Sequence, residues 1–275
     1  MDGILNIRKP SGPTSFDIVA RVKKLLHQPR VGHGGTLDPL ASGVLPVFTG
    51  RATRVAEYLM EYPKTYRAGV ELGITTSTYD AEGEVTSRGD AKNITLADIE
   101  QALAQFRGDI LQKPPAYSAL KHEGQPLYKL AREGKRVEIE SRPASIYRLN
   151  IISYDSPLLI IDVECSKGTY IRSIAHDLGE ALGCGAYLKS LVRTKYGPFE
   201  IGSAVTLEQL AQTVNEGTLE ACIQPIDAVL SSWDRITLTD EQVEAVRCGC
   251  GRLSLPPRAQ SGWRPTTEAP ALWPC

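Results

Sequence analysis

Residues 31–46 read Val-Gly-His-Gly-Gly-Thr-Leu-Asp-Pro-Leu-Ala-Ser-Gly-Val-Leu-Pro, and this stretch constrains the chain more than any other. Gly32, Gly34, Gly35 and Gly43 let the backbone turn sharply and let another molecule come close. Pro39 fixes the chain just after Asp38 and biases that residue away from helix. The stretch is therefore a stiff, bare loop with a single carboxylate. An acid held this way is a candidate nucleophile or general base. Asp-Pro among glycines is also ordinary turn chemistry, and the stretch alone leaves both readings open.

The rest of the chain limits what that loop can serve. Its 275 residues allow one large domain plus a small appendage. Apolar content of 42% with 23% charged residues is that of a soluble globular protein. No run of eighteen apolar residues occurs, so no helical membrane span is expected. The N-terminal residues lack the apolar core of a signal peptide, and a cytoplasmic location is expected. Cysteines 165, 184, 222, 248, 250 and 275 are scattered, as core thiols would be in a reducing compartment.

Net charge is −1, which hides an asymmetry. Gln112–Arg148 carries eight Lys/Arg against four Asp/Glu, whereas Tyr196–Cys250 carries two against nine. A basic segment beside an acidic one suits polyanion binding on one face, or a solvated charged surface.

Apolar periodicity gives the element order. Gly3–Lys9 reads as a strand. A helix is expected after Ser15 as its cap, with Ile18, Val19, Val22, Leu25 and Leu26 inward and Pro29 as its stop. Val44–Phe48 is a short apolar strand, and Arg51–Met60 a second helix. Tyr66–Gly73 alternates as a strand, and Thr75–Asp90 looks like loop and hairpin. Thr95 with Asp98 at the third position predicts a capping box. The segment 112–142 is long, basic and poorly periodic, and compact domains rarely carry such a loop unless it works. Arg148–Ser153 and Leu158–Cys165 are strand-like. Thr169 is expected to open a helix with Ile171, Ile174, Ala175 and Leu178 inward, and Thr206–Gln212 to form another. Strands outnumber helices without alternating one-for-one, which predicts an α+β class with a mixed, mainly antiparallel central sheet and flanking helices.

Several chemistries are excluded on paper. His27, His33, His122 and His176 never pair at ligand spacing, so no metal site is expected. The Gly32–Thr36 run lacks the Lys of a P-loop, and Asp38 would repel phosphate. No Gly-x-Ser-x-Gly elbow exists. Asp38 is left as a nucleophile without a triad, and a nearby cation would hold it ionised. Arg172 is a candidate for that cation, or for an ordinary surface salt bridge.

Taken together, these pieces resemble one family. Gly32-His33-Gly34-Gly35-Thr36-Leu37-Asp38-Pro39-Leu40-Ala41-Ser42-Gly43 looks like its active-site signature. Leu5-x-x-x-Lys9-Pro10-x-Gly12-x-Thr14-Ser15 looks like its N-terminal signature. Lys64-x-Tyr66-Arg67, Ser166-Lys167-Gly168-Thr169-Tyr170-Ile171-Arg172 and Pro114-Pro115-x-Tyr117-Ser118-Ala119-Leu120-Lys121 match three more motifs. The family is the bacterial tRNA pseudouridine synthase B type, which isomerises uridine 55 in the tRNA T loop, and the resemblance covers roughly residues 2–230.

The resemblance implies a pseudouridine synthase fold with long RNA-binding loop insertions, and roles for individual residues. Asp38 would be the nucleophile, Arg172 its partner, and Tyr66 would stack on the flipped uracil with its hydroxyl near C5. His33 would fill the gap left by the flipped base. Tyr170, Lys167 and Leu191 would line the pocket, and Lys9 would support the loop. The reaction needs no redox step or energy source, so no cofactor is expected. The expected partner is the tRNA T stem-loop, bound by a monomer without an obligatory protein partner. The domain plan would be a catalytic unit over 1–235, with a basic RNA-clamping insertion at 112–148. Residues 236–275 would then be an atypical or truncated remnant of the family's C-terminal RNA-binding domain, with a poorly ordered tail.

Two departures stand out. Tyr187 occupies a position where the family often has His, and the proline-rich stretch 251–275 shows no alternating strand. A guide-RNA-dependent relative would typically carry Lys where Leu40 stands and begin with a longer N-terminus. A tRNA-binding protein with a spent site would not need Asp38, Tyr66 and Arg172 intact.

Overall fold

The structure, a computed structural model, describes residues 1–118, 120–134, 137–231, 233 and 238–248. In chain order, strand β1 (Gly3–Lys9) leads to helix α1 (Ser15–Leu25), β2 (Val31–His33) and β3 (Ser42–Thr49). A 3-10 turn over Gly50–Val55 precedes the short α2 (Ala56–Leu59), then β4 (Lys64–Leu72), β5 (Ile74–Thr76) and β6 (Val85–Arg88). Next come α3 (Leu96–Leu103), β7 (Gly108–Gln112), the small hairpin β8 (Lys121–His122) and β9 (Gln125–Pro126), and α4 (Leu127–Arg132). The long pair β10 (Arg142–Asp155) and β11 (Leu158–Cys165) is followed by α5 (Ile171–Ala181), β12 (Ala186–Tyr196) and β13 (Phe199–Glu200). Helix α6 (Leu207–Asn215) and β14 (Ile223–Gln224) complete the first compact unit, Met1–Ser231.

The central sheet runs β14-β1-β3-β12-β4-β11-β10-β7, with β13 added to β12 and β2 to β3. Every pairing is antiparallel except β12 with β3. The α+β class with a mainly antiparallel mixed sheet is as the element pattern predicts.

The apolar run of β3 has a physical reason: this part of the sheet is covered on both faces. Leu45 and Val47 join Leu5, Ile7, Ile18 and Val22 in the main core, with Ile174 and Leu178 of α5. Val44 and Phe48 point the other way, into a second cluster with Ile4, Leu59, Tyr196 and Val229.

Local chemistry departs from expectation at three starts. Thr14, not Ser15, caps α1, in a reciprocal box with Asp17. Helix α5 is capped at Tyr170 without a side-chain bond, because the Thr169 hydroxyl donates to the Ser166 carbonyl instead. The expected helix over 51–60 is a 3-10 turn followed by four α-helical residues. The Thr95–Asp98 box of α3 forms as predicted.

The second unit spans Ser232–Cys275. Its described part holds α7 (Asp240–Arg247), opened by Thr239, whose hydroxyl accepts from the Gln242 N–H. The stretch 251–275, expected to be poorly ordered, lies outside the described residues.

Candidate active site

The loop between β2 and β3 is built to hold Asp38 still. Gly34 has no room for a side chain: a Cβ there would lie 2.7 Å from both Leu59 and Phe48. Leu37 is buried, and Ser15 grips its backbone, accepting from the Leu37 N–H at 2.9 Å and donating to its carbonyl at 3.1 Å. The Ala41 N–H donates to the Asp38 carbonyl at 3.0 Å, closing a turn with Pro39 at its second position. Turn and functional loop are thus the same object.

The segment 9–15 clamps that turn from the side. Lys9 is fully buried, and its ammonium donates to the carbonyls of Pro39 (3.1 Å), Ala41 (2.6 Å) and Pro10 (3.0 Å). Ser11 donates to the Leu40 carbonyl and the Gly12 N–H to that of Pro39. Burial pulls the Lys9 amine down to about 8, against the opposing pull of Asp38.

Helix α5 delivers Arg172. The Gln112 side chain pins the Tyr170 backbone, accepting from its N–H at 2.7 Å and donating to its carbonyl at 2.9 Å. Arg172 Nε then lies 2.9 Å from Asp38 Oδ2, and its Nη1 lies 3.3 Å from Asp80 Oδ2. Further donations go to the Tyr117 carbonyl at 3.1 Å and the Thr78 carbonyl at 3.4 Å. The buried Arg172 is therefore a bridge between two carboxylates, not a surface ion pair. Burial raises the Asp38 carboxyl above its ordinary value and Asp80 adds to that, while Arg172 and Lys9 oppose it. The Asp38 side chain is still 41% exposed, so a substrate atom can reach it.

Tyr66 sits on β4, 8% exposed, on the face that also carries Ala68, Val70 and Leu72. Burial raises its phenol, Arg193 pulls it down, and the Asp38 charge adds a smaller upward push. Leu191, buried on β12, stands opposite Ala68, beside the Tyr66–Arg193 pair. Tyr170 is half-buried, and burial raises its phenol, with Arg172 and Asp38 close enough to act on it. His33 is half-buried; its Nδ1 accepts from the Gly35 N–H at 3.3 Å, and burial and Arg193 both push its imidazole down. Lys167 is the outlier among the expected residues: it pairs with Glu61 at 2.6 Å, both side chains mostly exposed. Arg67 has a structural partner, a two-pronged contact with Asp162 across β4 and β11.

Sequence reasoning missed Asp80 and Arg193. Asp80 lies in a polar stretch read only as loop, and its signal was weak: an acid three residues before Gly83 in a tight turn. Arg193 lies in a stretch, 186–196, whose apolar residues do not alternate regularly, and its charge gave no sign of a core position. Among the described residues no group of His, Cys, Asp and Glu is arranged to hold a metal ion. No described helix is long and apolar enough to cross a membrane.

The site combines a carboxylate presented on a rigid turn, a buried guanidinium that orients it, and a tyrosine on the adjoining strand. That set can perform nucleophilic attack and a proton transfer on a bound ring.

Residues 23–171 match the TruB family pseudouridylate synthase N-terminal domain, and residues 172–231 the tRNA pseudouridylate synthase B C-terminal domain. A tRNA pseudouridine synthase B from Dehalococcoides mccartyi is 49% identical over 88% of this chain and 81% of its own. One from Stutzerimonas stutzeri is 47% identical over 87% and 79%. Among solved structures, a Cbf5-Nop10-Gar1 complex aligns at 33% identity and a TM-score of 0.71, covering 90% of this chain and 67% of that one. An H/ACA RNP bound to a substrate RNA containing 2'-deoxyuridine aligns at 31% and 0.64, covering 82% and 60%.

Proposed function

The chain belongs to the TruB family of pseudouridylate synthases, and from that premise we propose that it isomerises uridine 55 in the T loop of tRNA with Asp38 as the nucleophile. The activity itself, conversion of uridine to pseudouridine in tRNA, is that of its family. The observation that carries the residue assignment is the Asp38–Arg172 contact at 2.9 Å, at the convergence of the clamped loop and α5.

The target base is stacked inside an RNA loop, so it must be flipped out to be reached. Asp38 attacks it at C6 or at the ribose C1′; the N1–C1′ bond breaks, the base rotates, and C5 bonds to C1′. The Asp38 carboxylate leaves again, displaced from C1′ as C5 bonds there or expelled from C6 as the C5–C6 double bond re-forms. C5 then carries a surplus proton. Tyr66, as phenolate, takes that proton; the C5–H electron pair becomes the C5–C6 double bond, and N1 takes up a proton, so the net proton count is unchanged. Arg172 keeps Asp38 aimed and ionised. Tyr66 recovers part of the base's lost stacking. His33, whose imidazole burial and Arg193 push down, fills the space the base vacates, while Tyr170 and Leu191 line the pocket and Lys167 its rim. No cofactor takes part.

The basic insertion 112–148 supplies phosphate contacts that position RNA without reading its sequence, and the stem-loop is recognised by shape. The catalytic unit is 1–235, and residues 236–275 add RNA contacts. The enzyme acts in the cytoplasm as a monomer without a guide RNA. Identity near one-half to relatives named tRNA pseudouridine synthase B, against about one-third to the Cbf5-Nop10-Gar1 structure, supports that choice.

Mapping the product in a tRNA transcript tests the position. Pseudouridine should form at position 55 and be absent when cytidine replaces that uridine. Pseudouridine at another position would move the assignment.

A further inference from the structure

Arg193 is 1% exposed at the centre of the sheet, and no carboxylate among the described residues forms an ion pair with it. A buried cation without a counter-charge is costly unless other groups replace it. Two backbone carbonyls do so in part: Arg193 donates to Val44 at 2.7 Å and to Gly35 at 3.3 Å, one at each end of the Asp38 loop. The Tyr196 ring does so as well, with the guanidinium carbon 4.8 Å from its centroid. That ring already faces a second cation, Lys64, at 4.5 Å.

A further neighbour is Tyr66. Arg193 and Tyr66 are direct cross-strand partners on β12 and β4, both buried. On its other side Arg193 pairs with Gly43 of β3, where a Cβ would lie 2.2 Å from the Arg193 carbonyl. This one residue therefore joins the strand that ends the Asp38 loop to the strand that carries Tyr66. A guanidinium only donates hydrogen bonds, so in any bond between the two the Tyr66 oxygen accepts, and the phenol's own proton is left free for exchange.

We propose that Arg193 is a positioning residue for Tyr66, supplying the charge that keeps its phenolate available until it takes the C5 proton. This rests on the assignment of Tyr66 as the base. The missing carboxylate has a reason on this account: an acid partner would neutralise Arg193 and remove its pull on Tyr66. Arg193 works against the burial that raises the phenol.

A double-mutant cycle tests it, read as single-turnover tritium release from tRNA carrying tritium at uridine C5. Arg193→Lys keeps the charge but not the fork. It should slow release about 10-fold or more with Tyr66 present, and less than about twofold in the Tyr66→Phe background. Losses that multiply would overturn the proposal and make Arg193 a support of the Gly35 and Val44 carbonyls alone. A wild-type rate for Tyr66→Phe by itself would instead remove the base assignment on which the proposal stands. Guanidinium 15N NMR gives a second reading with Arg193 in place. Loss of the hydroxyl in Tyr66→Phe should shift the Arg193 Nη signal, and an unchanged signal contradicts the contact.

Discussion

Arg172 Nε lies 2.9 Å from Asp38 Oδ2, and the same guanidinium turns its Nη1 toward the buried Asp80. Asp38 thus shares its cation with a second acid. Asp80 is itself held, by donations from the Thr78 hydroxyl and the Glu82 N–H. The sharing fixes the aim of Asp38 and, beside burial, bears on its acidity.

Removing the second acid separates those effects. Burial and the Asp80 charge both raise the Asp38 carboxyl. Asp80→Asn should therefore move the acid limb of kcat/KM to lower pH, because Asp38 then ionises more readily. A limb that moves to higher pH would contradict the shared-cation account.

Lys9 makes a stability prediction whose sign is fixed. Its amine falls from 10.5 to about 8 on folding. Between those values the unfolded chain binds the proton more tightly, so folding gains stability as pH rises through that window. Measured against Lys9→Met, the wild-type unfolding free energy should grow by up to about 3 kcal/mol between pH 8 and 10.5. A falling difference would mean that the ammonium is not buried as described.

Gly43 tests the seam between the loop strand and β12. It has φ of +102°, and an added Cβ would meet the Arg193 backbone. Gly43→Ala should cost about 1–3 kcal/mol, seen as a Tm lower by several degrees. An unchanged Tm would show that the seam can open freely.

These sites differ in how far the sequence foretold them. The clamp of Lys9, Ser11 and Ser15 on the Asp38 turn is local hydrogen bonding between two motifs, and both motifs were legible. The capping box of α3 was legible for the same reason. Strand β12 was not. Bulges at Leu188/Ser190 and Arg193/Lys195 break its period-two alternation, and the charge of Arg193 disguises a core position. Asp80 escaped notice because its partner arrives from α5, and a contact between distant segments leaves no periodicity behind. Thr14 is a different case: its box with Asp17 is as local as that of α3, and it leaves Ser15 to a tertiary role at Leu37.

The basic insertion is tested through salt. Lys129 is exposed on α4; Arg132 belongs to the same helix, while Lys135 and Arg136 lie outside the described residues. Neutralising all four should weaken tRNA binding and flatten its log Kd against log salt slope by about 0.7–0.9 per lost phosphate contact. An unchanged slope would make the segment a solvated face.

The most direct test of the account is Asp38→Asn, assayed by single-turnover tritium release from tRNA labelled at uridine C5, with tRNA affinity measured in parallel. The amide keeps the shape of the turn, and Arg172 retains Asp80, so the fold and tRNA binding should persist. Release should disappear, because a neutral amide is no nucleophile. Retention of more than about one-tenth of the wild-type rate, a barrier change below about 1.4 kcal/mol, would contradict the assignment of Asp38 as the nucleophile.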